Sequence, residues 1–104
     1  MKNQEATLHT LNASAREQAA LLQRLLRCAS AGDSVLLIEN GAYNLTDANS
    51  LAAIKAAGLT LYCLQADVLA RGLKQYEQSG VTTVDDNEFV ALSCSHHKVV
   101  SWFV

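Results

Sequence analysis

Three thiols and three imidazoles are the side chains of this sequence best suited to chemistry. Cys94-Ser95-His96-His97 sets a thiol beside two imidazoles, a grouping that could bind a metal or pair a nucleophile with a base. At a helix end, however, adjacent histidines diverge by roughly 100°. No fourth ligand stands at a recognisable spacing, and no third group orients a Cys/His pair. Neither a metal centre nor a catalytic pair is expected there. A working thiol also needs a lowered pKa, usually from a helix N-terminus or nearby cations. Cys28 falls near the end of a helical pattern, where the dipole disfavours a thiolate, with Arg24 and Arg27 offsetting this in part. It shares a stripe with Leu21 and Leu25, so half-buried packing is its expected role. Cys63 lies inside a strand pattern and reads as a small core hydrophobe. Cys28 and Cys94 remain as candidate accessory thiols, and no catalytic residue, cofactor or metal ligand is assigned.

The acidic residues offer no stronger centre. In open α/β sheets ligands gather beyond the carboxyl ends of the strands. Those positions hold Asn12-Ala13-Ser14, Glu39-Asn40-Gly41, Ala66-Asp67 and Asp85-Asp86. Only single glycines follow the strands, so the fingerprint that brings backbone amides to a pyrophosphate is missing. A phosphoacceptor receiver would need an acidic pair after the first strand to hold Mg²⁺, and Asn12 and Ala13 stand there instead. Glu39, Asp67, Asp85 and Asp86 read as helix caps and solvated loop charges.

The elements that must position these residues come from a chain of 104 residues, enough for one domain. Its residues are 50% apolar and only 17% charged, with no proline. A small domain cannot hide so much apolar surface internally, and another subunit is expected to cover part of it. The net charge of −2 carries no footprint for direct nucleic-acid or membrane binding. The longest aliphatic run, Val35-Leu36-Leu37-Ile38, is too short to cross a bilayer, and Met1–Glu5 has no signal-peptide character. A cytoplasmic chain with reduced thiols is expected.

Apolar runs alternating with helical patterns predict βαβ units on a parallel sheet. Strands are expected at Thr7–Leu11, Ser34–Glu39, Thr60–Gln65, Val81–Val84 and Val99–Phe103. Ser14 with Glu17 suggests a capping box for the first helix, which buries Ala19, Leu22, Leu26 and Ala29 on one face and stops at Gly32. Thr46 or Asp47 starts a second helix with Leu51 and Ile54 inward and Gly58 past its end. A short helix spans about Asp67 to Leu73. Asp86 or Asn87 caps the last, which carries Phe89, Val90 and Leu92. Right-handed crossovers make this a three-layer α/β/α sandwich with a five-stranded, mostly parallel sheet. Residues 1–6 read as a flexible extension, and 7–104 as the domain.

Several segments in order resemble the TusB/DsrH family of sulfur-relay subunits. Leu8-His9-Thr10-Leu11-Asn12 is similar to the family's opening, and Gly32-Asp33-Ser34-Val35-Leu36-Leu37-Ile38-Glu39-Asn40-Gly41 to its second strand and turn. Asp67-Val68-Leu69-Ala70-Arg71-Gly72 resembles its D-L-x-A-R-G segment. Asp85, Phe89-Val90, Leu92, His96 and Trp102 follow its terminal spacing. The series runs from Leu8 to Trp102, each motif weak alone and fairly specific together.

The resemblance implies a DsrE/F/H-like fold. It also implies assembly with TusC-like and TusD-like homologues as a dimer of heterotrimers that passes persulfide sulfur toward wobble 2-thiouridine of tRNA. A DsrH branch serves dissimilatory sulfur oxidation, and the terminal spacing leans toward TusB. The persulfide-carrying cysteine of such complexes belongs to the TusD/DsrE-like partner. Some DsrH-type members carry a cysteine in the first helix; Cys28 does not fall at that aligned position, so no role transfers to it. The chain is therefore expected to be an accessory subunit, with a persulfide carrier using Cys28 or Cys94, or a homo-oligomer, as the alternatives. Departures are the extra Met1–Ala6, Ser14-Ala15 where the family has Ser-Pro, Asp86 for a Tyr, and Phe103-Val104 beyond Trp102. His9, His96 and Trp102 are candidate partner contacts. Their packing alternatives are a hydrogen-bonded strand ring for His9, loop packing for His96 and burial under the last helix for Trp102.

Overall fold

The computed structural model describes residues 3–78 and 80–104. Five strands, β1 (Asn3–Leu11), β2 (Ser34–Leu37), β3 (Thr60–Leu64), β4 (Val81–Val84) and β5 (His96–Trp102), form one sheet in the order β4-β3-β2-β1-β5. Every neighbouring pair is parallel. Parallel neighbours need crossovers, which α1 (Ala19–Cys28), α2 (Ala48–Ala56), α3 (Gln65–Ala70) and α4 (Asp86–Ser95) supply. The chain steps outward from β1 to β4, and α4 then returns it across the sheet to place β5 on the far side of β1.

Leu22 and Leu25 of α1, Leu51 and Ile54 of α2, and Val68 of α3 pack on Leu11, Val35, Leu37, Leu61 and Cys63 from one face of the sheet. The opposite face holds a smaller cluster of Leu8, Leu36 and Val84, covered by Phe89 and Leu92 of α4. All four residues of β2 are buried, as its unbroken aliphatic run requires of a central strand clad on both faces. The three-layer α/β/α arrangement is thus lopsided, with three helices on one side and one on the other.

Local chemistry accounts for the element boundaries, including those that differ from expectation. Asp47 caps α2 by accepting the Ser50 N–H at 3.2 Å. Asp85, one residue before the expected cap, closes a capping box with Glu88 at the start of α4. Ser14 accepts the Glu17 N–H as an N-cap would, but its hydroxyl rather than its backbone N–H donates to the Glu17 carboxylate; this lies in a separate turn, and α1 begins only after Gln18. Helix α3 starts directly at the end of β3, two residues before Asp67.

A 3-10 segment, Glu39–Thr46, was not expected and follows β2 almost immediately. There Asn44 is fully buried, accepting the Ala15 N–H and donating to the Ala13 and Gly41 carbonyls, which knits the segment to the turn after β1. The first strand starts at Asn3 rather than Thr7, because Asn3 is in register with His96 of β5. Of the extension expected over residues 1–6, Met1 and Lys2 lie outside the described residues, whereas Asn3–Ala6 belong to β1 and Ala6 is buried. His96 and His97 open β5 instead of ending a helix, so their side chains leave on opposite faces of a strand.

Candidate functional site

Three of the residues singled out, His9, Cys28 and Trp102, meet on the α1 face of β1 and β5. Residues Thr7, His9 and Leu11 of β1 stand in register with Lys98, Val100 and Trp102 of β5. Alternation along the strands sends these side chains to one face. Helix α1 runs back antiparallel to the strands, so its last residue, Cys28, comes down near the start of β2. The result is a cleft of about 390 Å³ lined by Thr7, His9, Cys28, Ser30, Asp33, Lys98, Val100 and Trp102. It lies against the body of the sheet and toward the start of β2, not beyond the carboxyl ends of the strands as expected.

Asp33 organises the floor of this cleft. Its carboxylate is 6% exposed and accepts the Thr7 N–H, the Ser30 N–H and the His9 Nε2–H, each at 3.0 Å. Burial alone would raise its pKa; the hydrogen bonds from Ser30, Thr7 and His9 outweigh that and hold it below the usual carboxylate value. His9 is 3% exposed, and its second nitrogen, Nδ1, accepts the Trp102 Nε1–H at 3.0 Å. Indole N–H can only donate, so Nδ1 must present its lone pair and the ring is the neutral Nε2–H tautomer. The two rings are inclined by 29° with centroids 6.3 Å apart, so they meet at their edges through this bond.

The placement revises several expectations. Cys28 is exposed at the mouth of the cleft and not half-buried: Leu25 on its stripe is buried, but Cys28 is the last residue of α1, past the part of the helix that the core covers. Trp102 packs against the α1-side core, away from α4, since its register with Leu11 fixes the face it occupies. Cys94 is exposed at the end of α4. His96 Nδ1–H donates to the Leu92 carbonyl at 2.7 Å, and Nε2 bonds the Ser34 hydroxyl at 2.9 Å, so both its nitrogens are used within the chain. Cys63 is buried, and desolvation together with the nearby Asp67 pushes its thiol up to about 12. Asp33, the residue that assembles the cleft, was passed over. Its only sequence signal was a single acid between a glycine and a strand, which reads equally well as a turn.

Of the strand-end carboxylates, Asp67 and Asp85 make local bonds. Asp67 accepts the Glu39 N–H at 2.7 Å and an Arg71 N–H at 3.0 Å, while Arg71 Nε–H donates to Asn40 at 3.1 Å. Together they fasten the turn after β2, where Glu39 adopts a positive φ of 50°. Asn12, Glu17, Glu39 and Asn40 border a separate polar cleft of about 360 Å³ there. Among the described residues no three His, Cys, Asp or Glu side chains are grouped closely enough to hold a metal ion.

Comparison with known proteins adds to this geometry. The family described as DsrH like protein matches residues 13–99. The chain belongs to the DsrH/TusB family of sulfur-relay proteins. It is 33% identical over 96 residues to protein TusB of Shigella sonnei, spanning 91% of this chain and 99% of that one. Protein TusB of Serratia proteamaculans is 37% identical over 82 residues, covering 78% of this chain and 86% of the relative. In fold, the chain is similar to the ychN protein of Escherichia coli, with a TM-score of 0.68 at 13% identity, covering 95% of this chain and 99% of that structure. The segments that carry the resemblance now have physical roles. The LHTLN strand carries His9, the GDS turn carries Asp33, and the DVLARG segment carries the Asp67 and Arg71 fastening.

Proposed function

We propose that this chain is an accessory subunit of a cytoplasmic persulfide sulfur relay, assembled with TusC-like and TusD-like partners as a dimer of heterotrimers and serving 2-thiolation of wobble uridine in tRNA. The observation that carries this reading is similarity to TusB proteins over 91% of this chain and 99% of the relative's length. The cleft chemistry supports the accessory role. A thiol acting as sulfur acceptor is helped by a neighbouring base, and His9, the imidazole lining the Cys28 cleft, has Nδ1 occupied by Trp102 and Nε2–H directed to Asp33. Among the described residues no helix is long and apolar enough to cross a membrane.

Co-expression with TusC-like and TusD-like chains tests the assembly. Light scattering after gel filtration is expected to give a hexamer with two copies of each subunit. A chain that elutes alone beside its partners would overturn the proposal. The second reading, a persulfide carrier in its own right, draws on the exposure of Cys28 beside the cleft. Mass spectrometry after loading by a cysteine desulfurase separates the two. The extra sulfur is expected on the TusD-like partner. A stoichiometric gain of one sulfur on this chain, lost in Cys28→Ser or Cys94→Ser, would favour the carrier instead.

A further inference from the structure

The edge contact between Trp102 and His9 depends on a lone pair that a proton would remove. Trp102 is the only tryptophan of the chain and the final residue of β5, whose other long edge has no neighbouring strand in the sheet. Its indole is half-buried and walls one side of the cleft that Cys28 and Lys98 also line. With His9 neutral, the indole N–H points at an acceptor at 3.0 Å. With His9 protonated, both imidazole nitrogens carry hydrogens, and two N–H groups would face each other across that distance.

We propose that Trp102, His9 and Asp33 form a proton-operated latch on this cleft: protonation of His9 at Nδ1 expels the Trp102 indole and opens the cleft beside Cys28. The asymmetry of the ring's two contacts sets the direction of movement. Asp33 stays with His9 in either state, because its carboxylate accepts the Nε2–H before protonation and forms an ion pair with the imidazolium after it. Asp33 is itself anchored by two backbone amides, so it does not follow the indole.

Trp102 is held less tightly. Its side chain sits at the edge of the sheet, and the backbone bond from the Asn12 N–H to the Trp102 carbonyl survives a rotation of the side chain. The other titratable groups facing His9 across the cleft are Lys98 from β5 and Cys28 from α1. The Lys98 ammonium opposes the charged ring and the Asp33 carboxylate favours it. Once the indole leaves, the cleft presents two cations beside an exposed thiol. This inference stands on the geometry of the isolated chain and does not depend on the sulfur-relay assignment.

Fluorescence excited beyond the absorption of the three tyrosines reports on Trp102 alone. As the pH is lowered from neutrality through the mildly acid range, the emission is expected to shift to the red and acrylamide quenching to rise severalfold, in one transition with unchanged far-ultraviolet circular dichroism. In His9→Gln an amide can accept from the indole and donate to Asp33 without titrating, so the emission should stay blue throughout. Flat emission in the native chain overturns the latch, and so does an unaltered transition in a folded His9→Gln. Should that variant not fold, the native chain still decides the matter by nuclear magnetic resonance. The Trp102 indole N–H signal must move to its free position in step with titration of the His9 ring. Independent titrations would sink the proposal.

Discussion

Asp33, like Asn44, gathers three hydrogen bonds at one buried side chain. Three donors, two from β1 and one from the turn after α1, converge on its carboxylate, and those of Thr7 and His9 would be left unmatched in the interior without it. Asp33→Asn turns one acceptor oxygen into a donor facing other donors, and should cost about 1–3 kcal/mol at neutral pH, read as a lower urea midpoint. The pH dependence follows from its lowered pKa. Between the folded and unfolded values the unfolded state binds more protons, so stability rises with pH there. The contribution is complete above the ordinary aspartate value of about 4 and is lost as pH falls through the folded value. Urea midpoints of the native chain should therefore drop on acidification below about pH 4, and less steeply in Asp33→Asn. Some slope must remain, since Asp47 is lowered in the same sense by its bonds to Ser50. A hydrogen-bonded strand ring was legible for His9, but its partners were not. His9 lies 24 positions from Asp33 and 93 from Trp102, and no local spacing rule links residues so far apart.

At the scale of elements, strands and helices with strong periodicity were legible, and so were the caps that act through neighbouring residues. Val81–Val84 and the Asp47 start of α2 are read directly from residue type and spacing. The Glu39–Thr46 segment was not, because its geometry is imposed from outside. The Ile38 N–H donates to the Leu11 carbonyl, and at Gly41 the backbone comes so close to that same carbonyl that a Cβ would run into it. Gly41 here is a matter of approach, not of left-handed conformation, and the neighbouring positive φ belongs to Glu39. Gly41→Ala should destabilise the chain by about 1–3 kcal/mol, since Leu11 lies in a buried strand and cannot retreat. Thermal unfolding is the measurement; a melting temperature equal to the native one would show that the turn can relax. The Ser14 and Glu17 turn teaches the complementary point. A capping-box pattern specifies a local bond, and the α-helix begins where its apolar face can first reach the core.

For the whole molecule, the informative fact is the unequal cladding of the sheet. One face is covered by α1, α2, α3 and the 3-10 segment; the other carries α4 alone. On that thinner side Val90 of α4 is 62% exposed, and Val99 of β5, which alternates away from the cleft, is 43% exposed. Low charge and high apolar content had suggested surface awaiting a partner, and the fold places apolar side chains where one could sit. Val90→Asp and Val99→Asp should leave the melting temperature of the isolated chain nearly unchanged, as surface substitutions usually do. Under the proposed assembly they should lower recovery of the complex with TusC-like and TusD-like partners, read by gel filtration. Full recovery with both variants would move the interface to another face.

What the sequence by itself determined is the alternation of elements, the parallel sheet they require and the family. Each rests on residue type and short-range period, and these act within one strand or one helical turn. Only the tertiary structure decided which residues share a site. The return crossover of α4 sets β5 beside β1 and so brings Trp102 to His9, while α1 lowers Cys28 to the same cleft. Such a meeting depends on strand order and on register. A one-residue slip in β5 would send Trp102 and Lys98 to the opposite face of the sheet.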